Sequence, residues 1–160
     1  MIARFVLALT LAILFLNGAY TGPPKADDAR NIQGEWMIVA VDGPKKPSPD
    51  ELKKLRLHIT ADKFTVNANG EDVSVSTYKL AAGKKPAEID LVVTVRIRRG
   101  DVLIEEKQPR LGIYELKGDD LKVCVALATD KKTPNPPTRP TEFKTGGDLN
   151  LLILRRAPKN

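Results

Sequence analysis

His58 is the only histidine and Cys124 the only cysteine among 160 residues. A zinc site needs several such ligands converging on one point, so these two do not form one by themselves. His58 stands between Leu57 and Ile59 and in phase with Arg56. That alternation predicts a solvated histidine on the polar side of a strand rather than a general base. Cys124 is in phase with Lys122 and Ala126, not with Val123 and Val125, so a small, partly exposed filler is expected there. The chain has no second cysteine to give it an intramolecular disulfide and no histidine pair to activate it. The adjacent acids Asp27-Asp28, Glu105-Glu106 and Asp119-Asp120 would point to opposite faces of a strand or serve a turn, and they read as solvated charges. Gly83-Lys84-Lys85 lacks the earlier glycine and the hydroxyl residue of a phosphate loop and reads as a hairpin. On these residues the expectation is no catalytic group, no metal ligand and no cofactor.

What remains is the chemistry of charge. The formal net charge is +6 and the sequence pI about 9.5. This modest excess favours acidic partners without naming one. Aromatic residues make up 5% of the chain. That is too few for the stacking platforms on which single-stranded nucleic acid is bound, so nucleic acid is not an expected partner.

The elements that must position these charges are strands. With 42% hydrophobic residues in 160, the length suits one domain with a real core. Gly34-Glu35-Trp36 opens the first alternating run, Ile32 to Val41, in which Ile32, Gly34, Trp36, Ile38 and Ala40 share a face. Ser48-Pro49-Asp50-Glu51 predicts a short helix: a serine N-cap, proline at the first helical position and acids in the first turn. Leu55, Leu57 and Ile59 alternate next, then Phe64 to Val66, with Asn69-Gly70 as a hairpin turn because both residues tolerate positive φ. Val73 to Leu80 follows, then the cleanest alternation in the chain, Ile89, Leu91, Val93, Val95 and Ile97. Arg99-Gly100-Asp101 folds that strand back on Val102 to Leu116, which Pro109 is expected to bend or interrupt. Leu121 to Leu127 forms one more strand, a proline-rich linker spans Ala128 to Pro140, and Leu149 to Leu154 is the last.

Counting Val102 to Leu116 as one bent strand, the run numbers about eight, which predicts an all-β fold, an up-and-down antiparallel barrel over residues 32–157 with one short helix between the first two strands. In such a barrel odd strands start, and even strands finish, at the same end. Trp36 should therefore meet Arg155 or Arg156, with an arginine lying across the indole as a cation–π cap. Counting the connections places the helix, Asn69-Gly70, the Arg99-Gly100 tip and the proline linker at the other end. That mouth would be edged by Lys45, Lys46, Arg96, Arg98, Arg99, Arg110, Lys131, Lys132 and Arg139, with Glu142 and Phe143 beside them.

Residues 1–21 read as a secretory leader: Arg4 supplies the positive start, Phe5 to Leu16 the apolar core and Asn17-Gly18-Ala19 the small-residue end. The apolar core is shorter than the roughly 20 residues of a membrane span. Export to the periplasm, cell envelope or medium is the expectation, with residues 22–31 as a flexible tether and no membrane span left after cleavage.

The segments Gln33-Gly34-Glu35-Trp36, Glu51-Leu52-Lys53-Lys54-Leu55, Gly112-Ile113-Tyr114-Glu115-Leu116, Gly118-Asp119-Asp120-Leu121-Lys122-Val123-Cys124 and Arg139-Pro140-Thr141-Glu142-Phe143 carry a resemblance. In this order they resemble a set of uncharacterised, secreted, lipocalin-like proteins expanded in planctomycetes. The Gly-x-Trp with a terminal Arg156 also looks like the lipocalin signature. The resemblance implies a fold and export, and the family ending favours Arg156 as the arginine on Trp36. The long hairpin from Arg98 to Pro109 departs from the family's compact outline. Two functional classes stand open, both for a monomer and neither an enzyme. One is a binding barrel whose mouth takes a small anionic or amphipathic ligand. The other is a cell-envelope interaction module with a filled barrel that contacts a protein or acidic polymer through basic loops.

Overall fold

Each alternating run forms a strand, and each polar interruption forms a turn. The structure, a computed structural model, describes residues 27–44, 46–99, 102–127 and 137–158, with the backbone alone at 96–99, 102 and 103. The leader residues 1–21, Lys45, Lys131 and Lys132 lie outside the described residues. The strands are β1 (Gly34–Asp42), β2 (Leu55–Ile59), β3 (Lys63–Ala68), β4 (Glu71–Ala81), β5 (Ala87–Arg99), β6 (Val102–Lys117), β7 (Asp120–Ala126) and β8 (Leu149–Arg156). Each pairs antiparallel with the next, and β8 pairs back onto β1, closing an eight-stranded up-and-down barrel of lipocalin-like topology. Asn69 and Gly70 take φ of 54° and 89°, as a tight primed turn between β3 and β4 requires.

Two short helices, α1 (Asp28–Asn31) and α2 (Pro49–Lys54), complete the elements. The second is the expected one, and a capping box holds its start. Glu51 N–H donates to Ser48 Oγ (3.3 Å) and Ser48 N–H donates to Glu51 Oε2 (2.7 Å). The first corrects the tether reading for residues 28–31. These residues form one helical turn docked beneath the barrel, because Ile32 just after them is fully buried and Tyr114 Oη donates to Asp28 Oδ2 at 2.8 Å.

The core fills the lower half of the barrel. Trp36, Leu57, Ile59, Ile89, Leu121, Val123 and Leu154 are fully or almost fully buried there, with Phe64 and Tyr78 in an edge-to-face contact (6.5 Å between ring centroids). One register detail departs from simple alternation. The β1–β8 pairing shifts between Ile38 and Ala40, so Val39 is an extra, half-exposed residue and Val41, rather than Ala40, turns inward beside Leu152.

Pro109 does not interrupt β6. It pairs with Val92 of β5 above the last β6–β7 pair, Gly112 with Val125, where one side of β6 has no partner strand among the described residues and a residue without an N–H is tolerated. Gly112 itself sits where three strands crowd. A Cβ there would lie 2.6 Å from both the Cys124 carbonyl oxygen and Val125 Cγ1. Gly112→Ala should therefore destabilise the barrel by about 1–3 kcal/mol, the range for overpacking a dense core. Urea unfolding would check this, and an unchanged midpoint would show that β6 has slack at that point.

The long connection before β8 does not stay at the mouth. Residues 137–145 run down the outer wall over β5, β6 and β7, and Arg139 pins them. Its Nη1 donates to Gly112 O (2.6 Å), and its Nη2 to Asp90 Oδ1 (2.6 Å). Farther along, the Cys124 thiol faces Lys144 O at 3.6 Å. This covering corrects the expected exposure of Cys124. The cysteine is on the outward phase, yet it and its neighbour Ile113 are fully buried beneath the descending segment. Burial pushes the thiol pKa up, which favours the inert protonated form.

Candidate functional site

The two ends of the barrel are built for different tasks. At the base, the Arg156 guanidinium lies over the Trp36 ring, 4.2 Å from its centroid. The same guanidinium donates from Nη1 to Gln33 O (3.0 Å), from Nη2 to Asn31 O, and from Nε to Asp119 Oδ1 (3.1 Å). Trp36 Nε1 donates to Ile32 O at 2.8 Å, so the polar edge of the indole is satisfied by the turn that plugs the base. Gly34 leaves room for this arrangement. Its φ is +122°, and a Cβ would come 3.2 Å from Arg156 Nη1. Arg155 points outward to Asp120 (3.2 Å) and takes no part. Burial, with the bond to Asp28, raises the Tyr114 phenol and keeps it protonated as a donor. These bonds tie Arg156, Trp36 and Tyr114 to the turn that closes the base.

The upper half is different. On β6 the burial alternates strictly: Ile104, Glu106, Gln108 and Arg110 are half-buried while Glu105, Lys107 and Pro109 are exposed. The half-buried set is in phase with Gly112 and Tyr114, which face inward, so Glu106, Gln108 and Arg110 form a polar stripe on the inner wall. Across from them the inward positions of β4 are Ser74, Ser76 and Tyr78, whereas Val73 and Val75 point out and are exposed. Val66, Val95 and Leu152 add apolar surface at the same level and are only partly buried, unlike the sealed residues below. Above the buried row of Ser76 and Val93 the inner wall thus changes from a packed floor to a partly open cup.

The wall of the cup is also split. Strands β4 and β5 pair from Ala81 with Glu88 up to Ser76 with Val93, and no higher. Above that point, among the described residues, β4 pairs with β3 alone and β5 with β6 alone, leaving a side cleft of about 580 Å³ lined by Asp72 to Val75 and Val93 to Val95. Two buried side-chain atoms have no hydrogen-bond partner among the described residues, Arg110 Nε and Asn150 Oδ1. Both belong to inward positions, Arg110 opposite Leu91 and Asn150 opposite Val125. Desolvation holds the Arg110 guanidinium below the usual arginine range.

The expected mouth residues are therefore divided. Lys46 stays near the rim, 3.9 Å from Asp42. Arg96, Arg98 and Arg99 lie on the upper part of β5, where the backbone alone is described. Arg110 lies inside the barrel rather than on its edge. Arg139, Glu142 and Phe143 are not at the mouth at all, because their segment descends the outer wall. Glu142 is exposed and pairs with Lys144 at 2.7 Å, and Phe143 lines a small recess near Lys84 to Ala87 and Tyr114, at the basal end. Sequence reasoning passed over Gln108, Ser74, Ser76 and Asn150 and took Glu106 for a solvated charge. The signal for the β6 residues was the phase they share with Gly112, Tyr114 and Leu116. His58 lies on the outer face as expected, 2.6 Å from Glu35. Among the described residues no cluster of histidine, cysteine and acidic side chains has metal-binding geometry. Comparisons with family models, curated proteins and solved structures gave no match.

Proposed function

We propose that the protein is an exported, lipocalin-like binding protein that holds a small anionic or amphipathic ligand in the upper half of its barrel. The observation that carries this reading is the change along the inner wall. Inward side chains are buried up to the row of Phe64, Ser76 and Val93 and only partly buried on the next row, at Val66, Ser74, Val95 and Glu106, beside a cleft between β4 and β5. A cup with apolar walls and a few inward polar groups is the usual form of a small-ligand site. Export rests on the order of charge, apolar core and small residues in the leader, and kinship rests on the ordered segments quoted above.

Native mass spectrometry of the protein purified from its own envelope tests both parts at once. The expected spectrum shows a chain shortened by the leader and carrying a releasable small molecule, which Val95→Trp should displace by filling the cup. A full-length mass would remove the argument for export. The alternative, an envelope module that works through its basic loops, draws on the packed lower barrel. It would take precedence if the chain carried no adduct and were retained on an acidic polymer in a salt-dependent way.

A further inference from the structure

We propose that Asn69 is a site of spontaneous deamidation, and that the side chain of Asn67 sets its rate by holding the Gly70 amide in the turn between β3 and β4.

Deamidation of an asparagine uses the backbone nitrogen of the next residue as nucleophile. Here Gly70 N would bond to Asn69 Cγ while the Cγ–Nδ2 bond breaks, and Nδ2 leaves as ammonia with the proton that Gly70 N gives up. Water then opens the cyclic imide at either carbonyl and leaves aspartate or isoaspartate. The attack is intramolecular, so its rate depends on how readily the two atoms meet and on how free the nitrogen is to lose its proton. Glycine in the second position obstructs the approach least. Asn69-Gly70 is the one Asn-Gly pair among the described residues. Both residues are exposed, the Asn69 side chain has no hydrogen bond among the described residues, and nothing lies within 4 Å of where a Cβ on Gly70 would stand. The other described asparagines are placed differently. Asn31 precedes the buried Ile32, whose N–H donates to Asp28 O (2.9 Å), while Asn67 and Asn150 precede Ala68 and Leu151 within β3 and β8.

The fold restrains the labile pair. Asn69 and Gly70 are both held at positive φ, and Asn69 N–H donates to Lys54 O (3.3 Å). The nucleophile itself is held by Asn67, because Gly70 N–H donates to Asn67 Oδ1 at 2.9 Å. Asn67 Nδ2 donates in turn to Asp72 Oδ1 (3.3 Å), and this pair of bonds fixes which end of the Asn67 amide faces Gly70. A bond accepted from the N–H stabilises the protonated nitrogen and opposes loss of its proton. That bond must open before the imide can close, so the reaction proceeds from a locally opened turn. Asn67 lies outside the reacting pair and can be changed without altering the Asn-Gly sequence.

Ageing of the purified protein in mildly alkaline buffer, followed by peptide mapping with mass spectrometry and an isoaspartate assay, tests this. The folded wild type should convert at Asn69 before Asn31, Asn67 or Asn150. Asn67→Ala should convert at Asn69 roughly 2- to 12-fold faster, the factor by which losing one ordinary hydrogen bond favours the open turn. Asn67→Ser, whose hydroxyl accepts the same N–H more weakly, should fall between. Val123→Ala, which leaves a hole in the core away from the turn, should convert at the wild-type rate. In urea all of these proteins should convert at one common rate. A folded wild type that kept Asn69 intact, whether or not the unfolded chain converted, would remove the site. Conversion of Asn67→Ala at the wild-type rate, or a difference between them that persisted in urea, would remove the role of Asn67. Equal acceleration by Val123→Ala would do the same, since unfolding of the whole barrel would then set the rate. Should Asn67→Ala fail to fold, a rate for Asn67→Ser no higher than that of wild type would overturn the restraint by itself.

Discussion

Trp36→Ala should cost the barrel about 3–5 kcal/mol, the range for deleting a large aromatic side chain from a core that does not collapse around the hole. The indole is fully buried, sits on the pairing row of Leu57 and Arg156, and bonds to the carbonyl of Ile32. Its removal therefore opens the floor and frees the plug together. Arg156→Ala should cost less, about 1–3 kcal/mol, because the cation–π contact contributes about 0.5–2 kcal/mol and the guanidinium is partly solvated. The two losses should not add. In a double-mutant cycle followed by urea unfolding, a coupling above about 0.5 kcal/mol is expected for Trp36 with Arg156 and none for Trp36 with Arg155, which is exposed and paired with Asp120. Additive losses for the first pair would mean that the contact across the closing strands adds nothing to stability.

Arg139→Ala should unmask Cys124. The guanidinium holds the descending segment to Gly112 O, Ile89 O and Asp90, and is 3.7 Å from Glu88; its side chain is 23% exposed. Charge-assisted bonds of this kind, discounted for that exposure, contribute about 1–2 kcal/mol. Losing this amount makes transient undocking roughly 5- to 30-fold more frequent. Cys124 lies under the same segment, so its labelling by a thiol reagent under native conditions should accelerate by that factor. Labelling at the wild-type rate, with the melting temperature lowered, would show that the segment docks through Pro140 and Phe143 without its arginine.

Strand number, closure and the meeting of Trp36 with a terminal arginine were legible because each follows from counting alternations and turns. Faces were less legible. A bulge at Val39 exchanges Ala40 for Val41, and alternation alone has no signal for one extra residue. In β4 the valines marked a strand but not its inner side, since the structure places Ser74 and Ser76 inward and leaves Val73 and Val75 to solvent. The mouth was misassigned at Arg139, Glu142 and Phe143 for a different reason. A connection's position in the chain says at which end it leaves the barrel, not that it stays there, and this one returns down the wall through contacts with β5 and β6 that have no local sequence mark. The same blindness hid the cover over Cys124. Arg110 was visible as one more basic residue, and only its phase with Gly112 and Tyr114 separates it from the rim.

The helical turn beneath the barrel and the last residues of β8 meet at one place, since Arg156 bridges to the carbonyls of Asn31 and Gln33, and Ala157 N–H donates to Glu35 O. Both ends of the described chain therefore leave from the pole opposite the cup. A group attached directly at Asp27 or at Pro158 would sit at the pole that Trp36 and Arg156 close. Immobilisation through a linker fused directly to either of these positions would leave the opposite end of the barrel facing the medium.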